Sequence, residues 1–278
     1  MRTGLRLWLV GVLLYATAFL YASSVVAAEL LVEIGGSTRK VTTEELLARP
    51  DAATIEVPDD ISFHRTMSYR AVPLRALLAI DGLPADQELQ ITGTDGFATN
   101  LPSNLVFADG GKGAVPWLAI EEPDKPWPPT AEGVAIGPFY LVWLNPAASG
   151  VMSEQWPYKV DSIRAVSVRT LKWPQLLVGD DEPADSPART GQLVFATQCM
   201  ACHRLGGAGD ATMGPDLNLP SNPTEYLQPW ALKALIRNPA SLRAWPDMKM
   251  HGFEPSVMKD SDIDAVVAYL SYMAAHRH

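Results

Sequence analysis

The sequence predicts a multidomain chain with an N-terminal α+β domain, rich in β-strands, and a C-terminal all-α domain. The length of 278 residues is enough for about two domains. An acidic segment rich in Pro and Gly lies near residue 180 and predicts a solvated, extended linker. Short β-branched and aromatic runs precede this segment, whereas apolar residues at helical spacing follow it.

Composition and charge narrow the classes of protein that are possible. Apolar residues make up 47% of the chain and charged residues 19%, which is typical of a globular protein with a packed core. The formal net charge of −9 repels phosphate backbones, so we expect no nucleic acid partner. The chain has 2 cysteines, Cys199 and Cys202, and these cannot build a disulfide framework between distant parts of the fold.

Residues 1–28 have the pattern of a targeting segment. A basic start, an apolar stretch and a small-residue end at Ala28 follow one another, which is the order of a secretory signal cleaved after Ala28. The uncharged run 7–28 is also long enough to cross a bilayer as an uncleaved anchor. Both interpretations export the rest of the chain. We therefore expect a periplasmic or otherwise extracytoplasmic protein, either soluble or associated with the membrane through residues 7–28.

Residues 29–176 are predicted to form the first domain, because apolar runs typical of strands alternate there with turn residues. A hairpin is predicted where Gly35-Gly36 separates two such runs. The predicted elements are a hairpin over 30–41, a helix over 43–48, a strand over 54–57, a helix over 72–78, and strands over 89–92, 139–143 and 163–168.

Several short motifs of this domain follow one another in a recognisable order. They are Val72-Pro73-Leu74, the segment 95–102, Trp117-Leu118-Ala119-Ile120, the segment 137–142 and Trp156-Pro157-Tyr158-Lys159-Val160. The order resembles the molybdopterin-binding domain of the sulfite-oxidase family, in a small variant. That family holds molybdenum through a Cys thiolate, a soft ligand. Residues 29–176 contain no Cys, so we expect a scaffold of that type without a molybdenum cofactor.

The residues that carry chemistry are Cys199-Met200-Ala201-Cys202-His203. Cys-x-x-Cys-His is the attachment signal for a c-type haem. The two thiols lie on one side of a helical turn and can reach both vinyl groups of one porphyrin, and the adjacent His supplies a nitrogen to the iron. A thioredoxin-like dithiol would need a strand–helix context that is absent here. A zinc site would need a second Cys/His cluster, which the sequence lacks. We therefore predict one covalently bound haem c.

Helical patterns surround this motif in residues 188–278, which follow the predicted linker 177–187. We predict a helix over 187–198 that turns Leu193, Val194 and Phe195 toward a core. A middle helix is predicted over 230–237, ended by Asn238-Pro239. A capping box over 261–264 is predicted to open the last helix.

The spacing of particular residues in this region resembles that of class I cytochromes c. Gly191 and Phe195 precede Cys199 in the first helix, Met213-Gly214-Pro215-Asp216-Leu217 follows the motif, and Ala268-Tyr269-Leu270 lies in the last helix. The resemblance implies that the last helix packs across the first. It also implies that the Pro215 carbonyl accepts the Nδ1 hydrogen of His203 and fixes the tautomer of that ring.

A second ligand to the iron is expected between the middle and last helices. The candidates are Met250, Met248 and His251. Met250 is preferred, because the ligand Met of the family typically precedes an aromatic residue by three positions and Phe253 stands there. The Pro that usually follows the ligand in the family is His251 in this chain, so Met248 and His251 stay open as alternatives.

A haem with two protein ligands cycles between ferric and ferrous states and has no open site for substrate. The sequence therefore predicts an exported electron carrier, or a subunit or docking partner of a larger redox complex, rather than an enzyme. The acidic surface is expected to steer the protein to a basic patch on its redox partner. The alternatives are a sulfite-dehydrogenase-like oxidoreductase and a haem-based sensor.

Overall fold

The computed structural model describes residues 28–107, 113–180, 182–246 and 248–277. The predicted leader, residues 1–28, lies outside the described residues except for Ala28. None of the helices in the described parts of the chain is long and apolar enough to cross a membrane. A β-rich region is followed by a helical region, which confirms the predicted order of the two classes of structure.

The N-terminal region is built on two sheets. One sheet has the strand order β2-β1-β9-β5-β6, and the other has the order β3-β4-β7-β8. The strands are β1 (Glu29–Ile34), β2 (Ser37–Thr42), β3 (Ala53–Asp60), β4 (Arg65–Pro73), β5 (Gln87–Gly93), β6 (Ala98–Pro102), β7 (Val115–Ile120), β8 (Phe139–Leu144) and β9 (Val160–Ser167). Strands β1 and β9 pair in parallel, so the first and last strands of the region lie side by side.

Short helices and turns connect these strands. They are α1 (Thr43–Leu47), α2 (Leu74–Leu78), α3 (Ser103–Val106), α4 (Arg169–Lys172) and the 3-10 turns Pro146–Ser149, Ser153–Gln155 and Pro174–Leu176. Helix α1 begins where it was predicted and is capped at its first turn: Thr42 Oγ1 accepts the Glu45 N–H at 3.2 Å, and the Glu45 carboxylate accepts the Thr42 N–H at 2.8 Å. Side chains from both sheets form one apolar core, in which Phe139, Tyr140 and Trp143 of β8 are fully buried.

The C-terminal region is helical. Its elements are α5 (Pro187–Val194), a π-helical turn (Phe195–Cys199), α6 (Pro223–Tyr226), α7 (Pro229–Arg237), a 3-10 turn (Pro239–Ser241) and α8 (Asp260–Ala275). Helix α5 packs closely on α8 at Gly191, where an added Cβ would meet the Ala265 carbonyl and lie 2.8 Å from the Tyr269 Cβ. The rings of Phe195 and Tyr269 stand 5.3 Å apart beside this contact. The first helix thus packs on the last, as the resemblance implies.

The helix predicted over 72–78 begins later than expected. Val72 and Pro73 end strand β4, where they face Leu118 and Trp117 of β7. Pro is tolerated at the end of a strand, because the missing N–H leaves no internal ladder position unpaired. The helix therefore starts at Leu74.

Two details of the C-terminal helices also differ from the predictions. Leu193 is 70% exposed and does not reach the core, because Gly191 and Phe195, four positions apart, define the buried face and Leu193 lies between them on the other side. The last helix begins at Asp260, before the predicted capping box at Ser261. Its first turn is capped instead by the Asp262 carboxylate, which accepts the Lys259 N–H at 3.0 Å.

The predicted linker, residues 177–187, is not a solvated tether over its whole length. Val178 is buried in the helical core, and the N–H of Gly179 donates to the Tyr272 hydroxyl at 3.0 Å. The Arg189 guanidinium donates to the carbonyl oxygens of Val178, Gly179, Glu182 and Pro183. Composition alone suggested an extended segment. One arginine from the following helix supplies donors to its backbone carbonyls and fixes it on the C-terminal region.

Polar contacts join the two regions beside α4. Asp210, from the loop after the haem motif, receives hydrogen bonds from Gln90 at 2.6 Å and Lys172 at 2.8 Å. The half-buried guanidinium of Arg169 lies 3.4 Å from the Glu88 carboxylate and donates to the Ala196 carbonyl. Arg169 therefore bridges a strand of the N-terminal region and the turn that leads to Cys199.

Candidate functional site

The Cys-x-x-Cys-His segment begins at the end of the π-helical turn and folds into a tight turn of its own. The Cys199 carbonyl accepts the N–H of Cys202 at 3.1 Å and that of His203 at 2.9 Å. Both cysteines are free thiols. Helical geometry at this point brings the two thiols to one side of the chain and turns the histidine into the loop that follows.

The ring of His203 is fixed by the segment that follows the motif. Its Nδ1 lies 2.8 Å from the Pro215 carbonyl oxygen, and the N–H of Gly214 donates to the Cys202 carbonyl at 2.8 Å. Gly214 lies against the ring so closely that an added Cβ would stand 2.5 Å from Cε1 of His203. Burial lowers the pKa of His203, although the Pro215 hydrogen bond opposes this shift. A neutral ring that donates from Nδ1 keeps its lone pair on Nε2.

Asp216 holds the loop in place. Its carboxylate accepts backbone N–H groups from Gly206 (2.9 Å), Gly207 (2.7 Å), Asn218 (2.8 Å) and Leu219 (2.9 Å). Burial on its own would raise the pKa of Asp216, but these backbone hydrogen bonds together lower it. The sequence placed Asp216 in the Gly-Pro-Asp-Leu turn without revealing this role. The position beside Pro215 was the available signal.

Two buried asparagines tie the same loop to the last helix, and sequence reasoning missed both. Asn218 Nδ2 donates to the Met273 carbonyl at 3.1 Å, and Asn222 Nδ2 donates to the Leu270 carbonyl at 3.1 Å. The Asn218 side chain also accepts from Asn222 at 3.0 Å. Buried amides that satisfy helix carbonyls fix the distance between loop and helix.

The N-terminal region touches the haem motif directly. The N–H of Ala98 donates to the Ala201 carbonyl at 2.9 Å, and the N–H of Thr212 donates to the Gly96 carbonyl at 2.9 Å. An added Cβ at Gly96 would collide with the Thr212 hydroxyl. The turn between β5 and β6 is thus hydrogen-bonded to residues on both sides of His203. These are backbone contacts, so no side-chain pattern in the sequence could have indicated them.

Carboxylates of the N-terminal region raise the pKa of both cysteine thiols. Burial, and then Glu154, raise the pKa of Cys199 to about 12. Burial, Glu154, Cys199 and Asp95, in that order, raise the pKa of Cys202. Glu154 and Asp95 both belong to the N-terminal region, so its carboxylates lie near the attachment motif. In this state the thiols stay protonated at neutral pH.

The candidates for the second ligand lie in the segment before α8. Met248 and Met250 are half-buried. His251 is 58% exposed at its side chain, and its Nε2 stands 2.9 Å from Oε1 of Glu154. Among the described residues, no hydrogen bond or ring contact joins any of these three to His203, so the preference for Met250 stays a prediction. The segment is fixed behind them, where Phe253 is buried and its N–H reaches the Ile236 carbonyl at 3.4 Å.

The residues present fit a covalently bound haem. The donor set consists of two free thiols, an imidazole whose Nε2 lone pair is available, and the half-buried thioethers of the candidates Met248 and Met250. Gly214 lies directly against the ring of His203 and so restricts its rotation. Cys199 and Cys202 would form the covalent links, and His203 with Met250 would bind the iron. These assignments, and the expectation of no molybdenum cofactor, stay predictions.

The comparisons with known proteins bear on the C-terminal region. No curated protein and no solved structure matches this chain. A family model described as cytochrome c matches residues 188–274. The match supports a c-type cytochrome domain in this part of the chain, with a role in haem-based electron transfer.

Proposed function

We propose that this chain is an exported electron-transfer protein with one haem c, and that it works as a subunit or docking partner of a larger redox complex. The observation that carries the proposal is the fixed ring of His203. Its Nδ1 is held 2.8 Å from the Pro215 carbonyl beside two free thiols, within residues that match the cytochrome c family model.

The protein's own residues have distinct roles in this proposal. Cys199 and Cys202 anchor the cofactor, Pro215 fixes the tautomer of His203, and Met250 provides the second ligand. Held between an imidazole and a thioether, a haem supplies reversible one-electron transfer at a comparatively high potential. With His203 and Met250 both bound to the iron, no position on the iron would remain for a substrate.

The N-terminal region is proposed to be a docking module. Its order of motifs resembles the sulfite-oxidase scaffold, and it lacks the Cys that would ligate molybdenum. The contacts of Gly96 and Ala98 with the haem motif support a role close to the cofactor. The N-terminal segment, as a signal or an anchor, places the protein outside the cytoplasm. Mass spectrometry of the native N-terminus distinguishes the two, since cleavage leaves Glu29 as the first residue.

Covalent haem is tested by expressing the chain with a c-type cytochrome maturation system. We expect the pyridine haemochrome spectrum of a haem with two thioether links. Cys199→Ala and Cys202→Ala should each shift this spectrum toward that of a single link, and the double variant should retain no covalent haem. A colourless wild-type protein would contradict the proposal.

The second ligand is tested with a matched pair of variants. Met250→Leu should abolish the thioether-to-iron charge-transfer band of the ferric protein, whereas Met248→Leu should leave it unchanged, because both substitutions preserve side-chain volume. The reverse pattern would assign the ligand to Met248. Rapid binding of carbon monoxide by the ferrous wild type would favour the haem-based sensor instead.

Steering by the acidic surface is tested with small redox reagents of opposite charge. The net charge is −9, so reduction by a cationic ruthenium hexaammine complex should slow as salt is added. Reduction by anionic ferrocyanide should become faster. Rates that ignore ionic strength for both reagents would remove the argument for a basic docking patch on the partner.

The contact between the N-terminal region and the haem motif also favours a second candidate, a sulfite-dehydrogenase-like oxidoreductase with transfer inside one chain. It predicts reduction of the haem on addition of sulfite alone. Sulfite-dependent reduction together with stoichiometric molybdenum in the purified protein would replace the carrier by the enzyme.

A further inference from the structure

One turn of the N-terminal region touches both segments that would hold the haem. The 3-10 turn Ser153–Gln155 contacts the chain just before the first cysteine, where the Ser153 hydroxyl lies 3.2 Å from Oε1 of Gln198. It also contacts the chain just after Met250, where Glu154 meets His251 at 2.9 Å. The two segments lie before and after helix α7 in the chain, so the turn links parts of the cytochrome domain that are distant in sequence.

The turn is itself rigidly held. The Trp143 indole N–H donates to the Gln155 carbonyl at 2.7 Å, and the Gln155 side chain accepts the Met152 N–H at 2.8 Å. Trp143 belongs to β8 and is fully buried. The carboxylate of Glu154 therefore projects from a fixed backbone anchored in the core of the N-terminal region.

The contact between Glu154 and His251 is of the stronger kind. The Glu154 side chain is only 5% exposed, whereas that of His251 is 58% exposed, so the carboxylate is shielded from solvent and the imidazole is not. A hydrogen bond from an imidazole N–H to an ionised carboxylate is stronger than a neutral one. A buried carboxylate also needs partners, because a charge without them is costly inside a protein. Both groups thus gain from keeping His251 against the N-terminal region.

Resting on the proposed function, we propose that Glu154 is a positioning residue of the haem site. It holds the imidazole of His251 on the N-terminal region, so that the thioether of the neighbouring Met250 becomes the second ligand. Of the three candidates, His251 is the one whose side chain is hydrogen-bonded to the N-terminal region in the described part of the chain. The N-terminal region would then select the ligand, and through it the reduction potential, of a cofactor bound by the other domain.

The test compares Glu154→Ala with Glu154→Gln in the full-length, haem-loaded protein. In Glu154→Ala the imidazole is released and competes for the iron, so we expect loss of the thioether charge-transfer band and a lower reduction potential, since a thioether ligand raises the potential. Glu154→Gln keeps an oxygen that accepts from Nε2 and should retain the band. Ser153→Ala, in the same turn, should also retain it.

The decisive variant is the double substitution Glu154→Ala/His251→Ala. Removal of the released imidazole should restore the thioether band and return the potential toward that of the wild type, a reversal that mere loosening of the structure would not give. A double variant that stays like Glu154→Ala would overturn the inference. So would a Glu154→Ala protein with the wild-type spectrum and potential.

His251→Ala alone keeps the inference testable if Glu154→Ala fails to fold. It should preserve the band, because the imidazole is not the ligand, and loss of the band in this variant would overturn the inference. Absence of covalent haem from the wild type would instead overturn the proposed function and this inference with it. A loaded wild type whose Glu154 and His251 variants disagree with these expectations overturns the inference alone.

Discussion

At the scale of single residues, Asp216 does more for the haem site than its exposed neighbour Pro215 suggests. Its carboxylate accepts hydrogen bonds from four backbone N–H groups of the loop. The carbonyl of Pro215, immediately before it, lies at hydrogen-bond distance from His203 Nδ1. The hydrogen bond from His203 therefore depends on how firmly Asp216 holds the turn. A carboxylate binds several N–H donors more strongly than a single amide oxygen does.

We expect Asp216→Asn to lower the free energy of unfolding by about 1–3 kcal/mol, the range for removing a charged acceptor from partly buried donors. Chemical denaturation followed by circular dichroism measures this. Asp81→Asn is the matched control, because its carboxylate is 97% exposed in its ion pair with Arg75, and such surface pairs contribute about 0–1 kcal/mol. Equal losses in the two variants would contradict this role of Asp216.

The same carboxylate should make the stability of the folded protein depend on pH in the acidic range. Because the folded-state pKa of Asp216 lies below its ordinary value of 3.8, its contribution is present above that pH and is lost as the pH falls through the lower folded-state value. Denaturation midpoints measured over a series of acidic pH values should converge for wild type and Asp216→Asn. Parallel profiles would show that the folded-state pKa is not lowered.

Sequence reasoning reached the site residues unevenly at this scale. Cys199, Cys202 and His203 form a contiguous motif, so their neighbourhood follows from the chain itself. Pro215 was reached through a resemblance, and its contact with His203 is present in the structure. Glu154 and Asn222 were missed, because a single buried polar residue has no signal in sequence until its distant partner is known.

At the scale of elements, the crossing of α5 and α8 depends on the absence of a side chain at Gly191. The nearest atoms include the Ala265 backbone carbonyl, which cannot rotate away as a side chain can. Ala is the better helix former by about 1 kcal/mol, but a close backbone contact opposes this gain. The crossing was expected from the resemblance to class I cytochromes c, which Gly191, Phe195 and Tyr269 help to carry.

We expect Gly191→Ala to destabilise the protein by about 1–3 kcal/mol, the usual penalty of overpacking. Thermal unfolding monitored by circular dichroism at the helix band measures it. Gly82→Ala is the control, because its Cβ would find only Ser103 Oγ, at 3.9 Å, and it should leave the midpoint unchanged. A stabilised Gly191→Ala protein would mean that α5 can move away from α8.

Element boundaries were predictable where local chemistry decides them and not where pairing does. The start of the helix predicted over 43–48 and the stop at Asn238-Pro239 are local, and the structure agrees with both. Val72 and Pro73 read as the start of a helix, but pairing with β7 extends the strand through them. The prediction that Leu193 is buried was wrong for a related reason, since the packing of α8 determines which face of α5 is buried.

At the scale of the whole molecule, the two regions share backbone hydrogen bonds at the haem motif. Gly96 has φ of +88° and lies against Thr212, so the turn between β5 and β6 can approach the other region only with glycine there. No sequence pattern predicts such an interface, because it is made of N–H and C=O groups common to every residue. A division into independent domains was the natural expectation from the acidic segment near residue 180.

We expect Gly96→Ala to lower the thermal midpoint and to separate the unfolding of the two regions, which should unfold together in the wild type. Gly36→Ala is the control: its φ is +77°, and no atom in the described part of the chain lies within 4 Å of the added Cβ. Both variants bear the strain of a left-handed alanine, roughly 1–2 kcal/mol, but only Gly96→Ala disturbs the interface. The signals to compare are tryptophan fluorescence and haem absorbance. Coincident transitions in Gly96→Ala would argue against coupling through this turn.

The burial of Leu176 and Val178 in the helical core has a practical consequence for dissecting the gene. The carbonyl of Leu176 accepts a hydrogen bond from the Tyr269 hydroxyl at 2.7 Å. A truncated protein that began where the family match begins would lose this acceptor and would expose the apolar surface that Leu176 and Val178 cover. A truncated protein that begins upstream of Trp173 would keep Leu176 and Val178. The packed helical region thus extends further on its N-terminal side than the family match over residues 188–274.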